Sequence, residues 1–239
     1  MISLNFSFLL LLAYYCDEGY NAGGIEGLYW SGGTVLTFFV CVVLHELGHS
    51  FTGMAFGIKV RRIVLSLIGG VAEFESIPRS PRQELLITVA GPSVNFAIAG
   101  IVWCVFKALS GNQEFIGGPW ADFLATLLTW NIWVGLFNLI PAYPMDGGRI
   151  VRSLLAMRLP YLKATYTAQI VSMVVTAIGV PIALYMDFKV MAVIFGYIFL
   201  ASRTEYRALK RREAEEALWR ESAVRHISTP PEPAPPPIL

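Results

Sequence analysis

The 239 residues are 55% hydrophobic and only 15% charged, with a mean hydropathy of +0.58. A soluble domain carries nearer a quarter charged residues, so this is the composition of a polytopic membrane protein. The net charge of +1 and pI of about 7.7 lack the basic footprint of a nucleic-acid binder, and Cys16, Cys41 and Cys104 sit in apolar runs without redox or metal spacing.

Residues 2–16 are apolar and lack the basic start and small-residue cleavage site of a signal peptide, so they read as a short, retained first span. An acidic, Gly-rich loop over 17–29 leads to a second span, 30–56, which carries His45-Glu46-Leu47-Gly48-His49. Residues 58–75 turn β-branched and predict a membrane-surface hairpin, with Gly69-Gly70 as its tight turn. A third span, 84–107, is interrupted by Ala90-Gly91-Pro92-Ser93-Val94-Asn95, where Pro92 removes a backbone donor and predicts a kink. The fourth span, 120–140, runs into Asn138-Leu139-Ile140-Pro141-Ala142-Tyr143-Pro144-Met145-Asp146-Gly147-Gly148-Arg149, whose prolines and glycines exclude regular helix. An amphipathic surface helix over 150–163 follows, then spans at 165–186 and 190–202. The chain continues as a charged helix over 203–227 and a Pro-rich tail, 228–239, expected to be disordered. The expected fold is all-α and polytopic, with about six transmembrane helices and one small membrane-associated hairpin between the second and third.

Basic residues set the orientation. With both termini cytoplasmic, sixteen of the eighteen Lys and Arg fall on the inner side, and only Lys107 and Lys189 lie outside. The second and fourth spans then both run inward, which brings His49 and Asp146 to similar depth near the cytoplasmic leaflet of the plasma or inner membrane.

On a helix, His45 and His49 project from one face, where two imidazoles can hold one cation. Glu46 lies one position round, within reach of a water that the metal activates, as the general base of a zinc hydrolase must be. Chance, or two buried hydrogen-bonded histidines, would explain the pattern in a soluble chain. Here two of only three histidines stand at ligand spacing inside an apolar run, where ionisable groups are costly and mark function. A hydrolytic zinc takes three protein ligands, and the inner-side carboxylates are Glu73, Glu75, Glu84 and Asp146. Asp146 is preferred because irregular backbone at membrane depth is tolerated only where it is buried or lines a cavity.

Together, HELGH, the Ala90–Asn95 run and the Asn138–Gly148 run resemble the site-2 protease family of intramembrane zinc metalloproteases, from the first span to the last. The resemblance implies one Zn2+ per chain held by His45, His49 and Asp146, with Glu46 as general base. It also implies regulated intramembrane proteolysis of single-span substrates within the lipid bilayer, such as anti-sigma factors or transcription-factor precursors. The hairpin around Gly69 and Gly70 offers a strand edge for an unwound substrate. Asn95 and Asn138 are candidates to bond substrate backbone or the oxyanion, or equally to bond helix to helix. Two other readings stay open: a divalent-metal transporter, which would need ligands on several spans, and a catalytically silent membrane scaffold.

Overall fold

The computed structural model describes residues 2–4, 6–66, 69–74, 80–111 and 118–228. Helix α1 occupies Phe6–Ala55 and breaks only at Gly23 and Gly24, where Gly24 takes φ 61° and ψ −141°, a conformation closed to most side chains. The break folds α1 into two arms. Leu11, Leu12 and Tyr15 of the first arm pack on Val35 and Phe39 of the second, and a β-carbon on Gly27 would stand 2.1 Å from the Gly19 carbonyl oxygen. The loop expected over 17–29 is therefore helix up to and beyond two glycines. This keeps almost every backbone polar group paired within the segment, as an apolar setting demands.

The strands gather at one end of α1. Strand β1 (Ile2–Leu4) lies parallel to β2 (Val60–Ser66), which pairs antiparallel with β3 (Gly69–Phe74), in the order β1-β2-β3. Residues 2–4, expected to begin the first span, are thus in the sheet. Gly69 and Gly70 are not the turn but the first residues of β3, opposite Ser66 and Leu65. Turn propensity lost to register here, because the ladder carries on into the glycines.

Helix α2 (Pro81–Leu109) starts cleanly. The Ser80 side chain accepts from the Gln83 N–H, and Pro81 fills a position that needs no donor. It runs on through Pro92, where a kink was expected. Helix α3 (Pro119–Asn138) is followed by irregular turns over 139–145, as the prolines require. Helix α4 (Asp146–Ala156) begins at the aspartate itself, and α5 (Tyr161–Tyr185) follows closely, so the surface helix expected over 150–163 is shorter and starts earlier. The sixth span and the charged helix are one element, α6 (Lys189–Ser228). The Pro-rich tail lies outside the described residues, apart from Ser228, which closes α6.

Four helices among the described residues are long and apolar enough to cross a membrane: Leu9–Ala55, Pro81–Leu109, Pro119–Asn138 and Tyr161–Tyr185. The expectation of about six differs at the chain's two ends. The first of the four contains both arms of α1, and the apolar start of α6 runs too soon into Arg203, Glu205 and Arg207 to qualify. Large apolar side chains such as Ile101, Trp133 and Ile178 face outward. An outward apolar surface with polar groups kept inside is that of an integral membrane protein. Helix α2 sits centrally, packed on α1, α3 and α4.

Candidate metal centre

His45 and His49 stand one turn apart on the second arm of α1, and Asp146 opens α4. His45 Nε2 lies 3.3 Å and His49 Nε2 3.2 Å from Asp146 Oδ2, and the two Nε2 atoms lie 3.2 Å from each other. All three side chains are buried. Two histidines four positions apart and an aspartate about a hundred positions further on thus present three donor atoms to a single point.

The local backbone makes this approach possible. Gly91 of α2 lies directly beneath the rings: a β-carbon there would come within 2.2 Å of His49 Nε2 and 2.7 Å of His45 Nε2. Gly48 lets α1 meet α2 at Ala90 and Val94, and Gly147 lets the first turn of α4 tuck against the Leu139 and Ile140 carbonyls. The glycines of the three motifs are therefore contact positions rather than turn positions.

The outer nitrogens of both rings are occupied. His49 Nδ1 donates to the Ile87 carbonyl at 2.7 Å, and His45 Nδ1 donates to Asn95 Oδ1. Each bond fixes the tautomer in which Nε2 presents a lone pair inward. Two inward lone pairs and one carboxylate oxygen then face each other at a buried point, an arrangement of acceptors alone that a cation between them would satisfy. Neighbouring ligands around a tetrahedral zinc, with bonds of about 2.0–2.1 Å, stand about 3.4 Å apart. The observed triangle of 3.2 to 3.3 Å fits that ion in size and in donor chemistry.

Glu46 is buried beside His45, close enough to interact with it electrostatically. Asn95 joins the cluster through His45. Asn138 does not: its amide nitrogen donates to the Val134 carbonyl at 3.0 Å within α3. Glu84, one of the carboxylates considered as a third ligand, is instead paired with Arg152. Arg152 Nε donates to Glu84 Oε1 at 2.9 Å, a second guanidinium nitrogen donates to the same oxygen, and the Tyr161 hydroxyl donates to Oε2 at 3.2 Å. The guanidinium also lies over the Tyr143 and Tyr161 rings, 5.6 and 5.2 Å from their centroids. This buried clasp ties α4, and with it Asp146, to the starts of α2 and α5.

One residue escaped the sequence reading. Asn131 of α3 is buried and accepts from Asn95 Nδ2 at 3.1 Å. An amide in the middle of an apolar span was the available signal.

The family model for peptidase family M50 matches residues 33–117 and 112–182. The chain belongs to peptidase family M50. Its HELGH histidines and Asp146 both fall within the matched residues. Over 229 residues this M50 chain is 33% identical to a zinc metalloprotease of Methanocaldococcus jannaschii, covering 96% of the chain but 63% of that relative. It is 27% identical over 132 residues to the stage IV sporulation protein FB of Bacillus subtilis, covering 54% of the chain and 43% of that protein. The solved structure of the site-2 protease from Methanocaldococcus jannaschii matches with a TM-score of 0.63 at 33% identity, covering 86% of this chain and 90% of that one. The resemblance to the site-2 proteases therefore extends from motifs to fold.

Proposed function

We propose that the protein is an intramembrane zinc metalloprotease that hydrolyses peptide bonds within or near the transmembrane segments of membrane-anchored regulatory proteins. The observation that carries this reading is the convergence of His45, His49 and Asp146 on one buried point in an integral membrane M50 chain. In this reading the three hold one zinc ion. Zinc bound there supplies Lewis acidity, which brings the ionisation of water to about neutral pH and polarises a carbonyl. Glu46 takes the proton from the attacking water and delivers it to the leaving amine.

The substrate must unwind first, since a helical peptide bond is shielded by its own hydrogen bonds. Strand β3, last in the sheet, offers its outer edge to an extended segment, with Gly69 and Gly70 admitting close backbone approach. Of the two amides considered as substrate contacts, Asn95 is already committed on both sides to His45 and Asn131. Asn138, beside the irregular turn, is the better placed to meet substrate backbone. We read six passes: the two arms of α1, then α2, α3, α5 and the apolar start of α6. Both termini are cytoplasmic and the metal lies near that leaflet, as the basic residues favour. Anti-sigma factors and transcription-factor precursors are the substrate class this arrangement suits.

The test is to count zinc per chain in detergent and to compare wild type with Glu46→Gln on candidate single-span substrates. The variant should keep its zinc and lose cleavage; cleavage at the wild-type rate would remove Glu46 as the base. Zinc flux across proteoliposomes would favour the transporter reading instead. A wild-type chain that holds zinc but cuts nothing would favour the scaffold.

A further inference from the structure

We propose that Asn131 is a positioning residue that fixes the tautomer of His45 through Asn95. The chain of bonds has a defined direction because it ends on an atom that can only accept. Asn131 Nδ2 donates to the Leu127 carbonyl at 2.8 Å and faces Cys41 Sγ at 3.5 Å. The opposite orientation would set two oxygens against each other at the Leu127 carbonyl, so Asn131 Oδ1 points to Asn95.

Asn95 Nδ2 donates to that oxygen at 3.1 Å, which turns Asn95 Oδ1 toward His45. An oxygen there requires a proton on His45 Nδ1 and leaves Nε2 bare on the side where Asp146 and His49 Nε2 stand. A backbone carbonyl of α3 thus sets the donor state of a ring on α1, through two amides on two helices. Asn95 and Asn131 are each 1% exposed, so no water competes for these bonds. His49 needs no such arrangement, because its own Nδ1 meets a carbonyl directly.

The inference rests on the proposed metal site; the tautomer read without metal separates the two, and a double-mutant cycle separates positioning from packing. Full-length protein with 15N-labelled histidine is purified in detergent. Zinc affinity is measured by chelator competition, and the His45 tautomer is read from its ring-nitrogen resonances in metal-free protein at a pH where the rings are neutral.

Asn131→Leu should lose the single Nδ1–H tautomer and bind zinc about 10–100-fold more weakly, the usual cost of removing a ligand's supporting hydrogen bond. Asn131→Ala gives the same reading if leucine prevents insertion. Asn95→Asp places a carboxylate, an acceptor in either orientation, against His45 Nδ1. Adding Asn131→Leu to that variant should therefore cost only about threefold or less, well short of the single-variant loss. Equal loss in both backgrounds would show a packing role, and an unchanged tautomer in Asn131→Leu would refute the proposal outright. A wild type that holds no zinc, yet whose tautomer responds to Asn131, would overturn the metal site and leave the positioning role intact.

Discussion

Gly91 meets His49 backbone to ring, so closely that a β-carbon on the glycine would stand 2.4 Å from His49 Cε1 and closer still to Nε2. The floor of the candidate metal site is therefore bare main chain, and there is no room on it for even a methyl group. Gly91→Ala must push a ring out of place or part α1 from α2. Zinc affinity should drop about tenfold or more, comparable with other losses of ligand support, while helicity by circular dichroism stays near wild type. Wild-type zinc affinity in the alanine variant would mean that the rings relax freely.

The clasp between Glu84 and Arg152 should behave as a buried ion pair. Removing one partner strands the other charge and should destabilise the protein by about 3–5 kcal/mol, whereas replacing both with apolar residues of similar size should cost much less. Thermal unfolding in detergent of Glu84→Leu, Arg152→Met and the double variant measures this. Additive losses would show that the two side chains act independently.

Asp146→Asn keeps the size of the third donor and removes its charge. Two lone-pair nitrogens then face a neutral amide, and the variant should lose its zinc at chelator concentrations that wild type tolerates. Metal analysis after graded chelation reads the difference, and equal retention would take Asp146 off the list of ligands.

Gly19 and Gly27 bring the arms of α1 into main-chain contact. A β-carbon on Gly19 would stand 2.5 Å from the Gly27 carbonyl oxygen, so Gly19→Val should pry the arms apart at a cost of about 1–3 kcal/mol. Gly33→Val, at a position where a β-carbon meets nothing within 4 Å, is the control. Equal melting temperatures for the two would show that the close contact is unimportant.

The grouping of His45, His49 and Asp146 was legible because its parts obey short-range rules. Two histidines at helical spacing in an apolar run, and an aspartate held in irregular backbone, each stand out against their surroundings. The clasp was not legible, since Glu84 at a helix start has an ordinary role in complementing the dipole, and only the fold brings Arg152 to it across 68 positions. Gly-rich composition suggested loops at 17–29 and a turn at 69–70. Within 17–29 only Gly23 and Gly24 break the helix while Gly19 and Gly27 serve close packing, and at 69–70 the glycines pair within a strand. Asn131 carried a signal that nothing local could translate, because its meaning lies in the orientation of a second amide on another helix.

Helix α6 is forty residues long, or about 60 Å at 1.5 Å per residue, roughly twice the thickness of a bilayer's hydrocarbon. Its apolar start is wedged against the turn that delivers the aspartate: Ile194, Phe195 and Ile198 pack with Ala142 and Met145. Beyond that contact the same helix carries on into a stretch rich in Arg, Lys and Glu, so one continuous element joins the packing behind Asp146 to a charged segment of the chain.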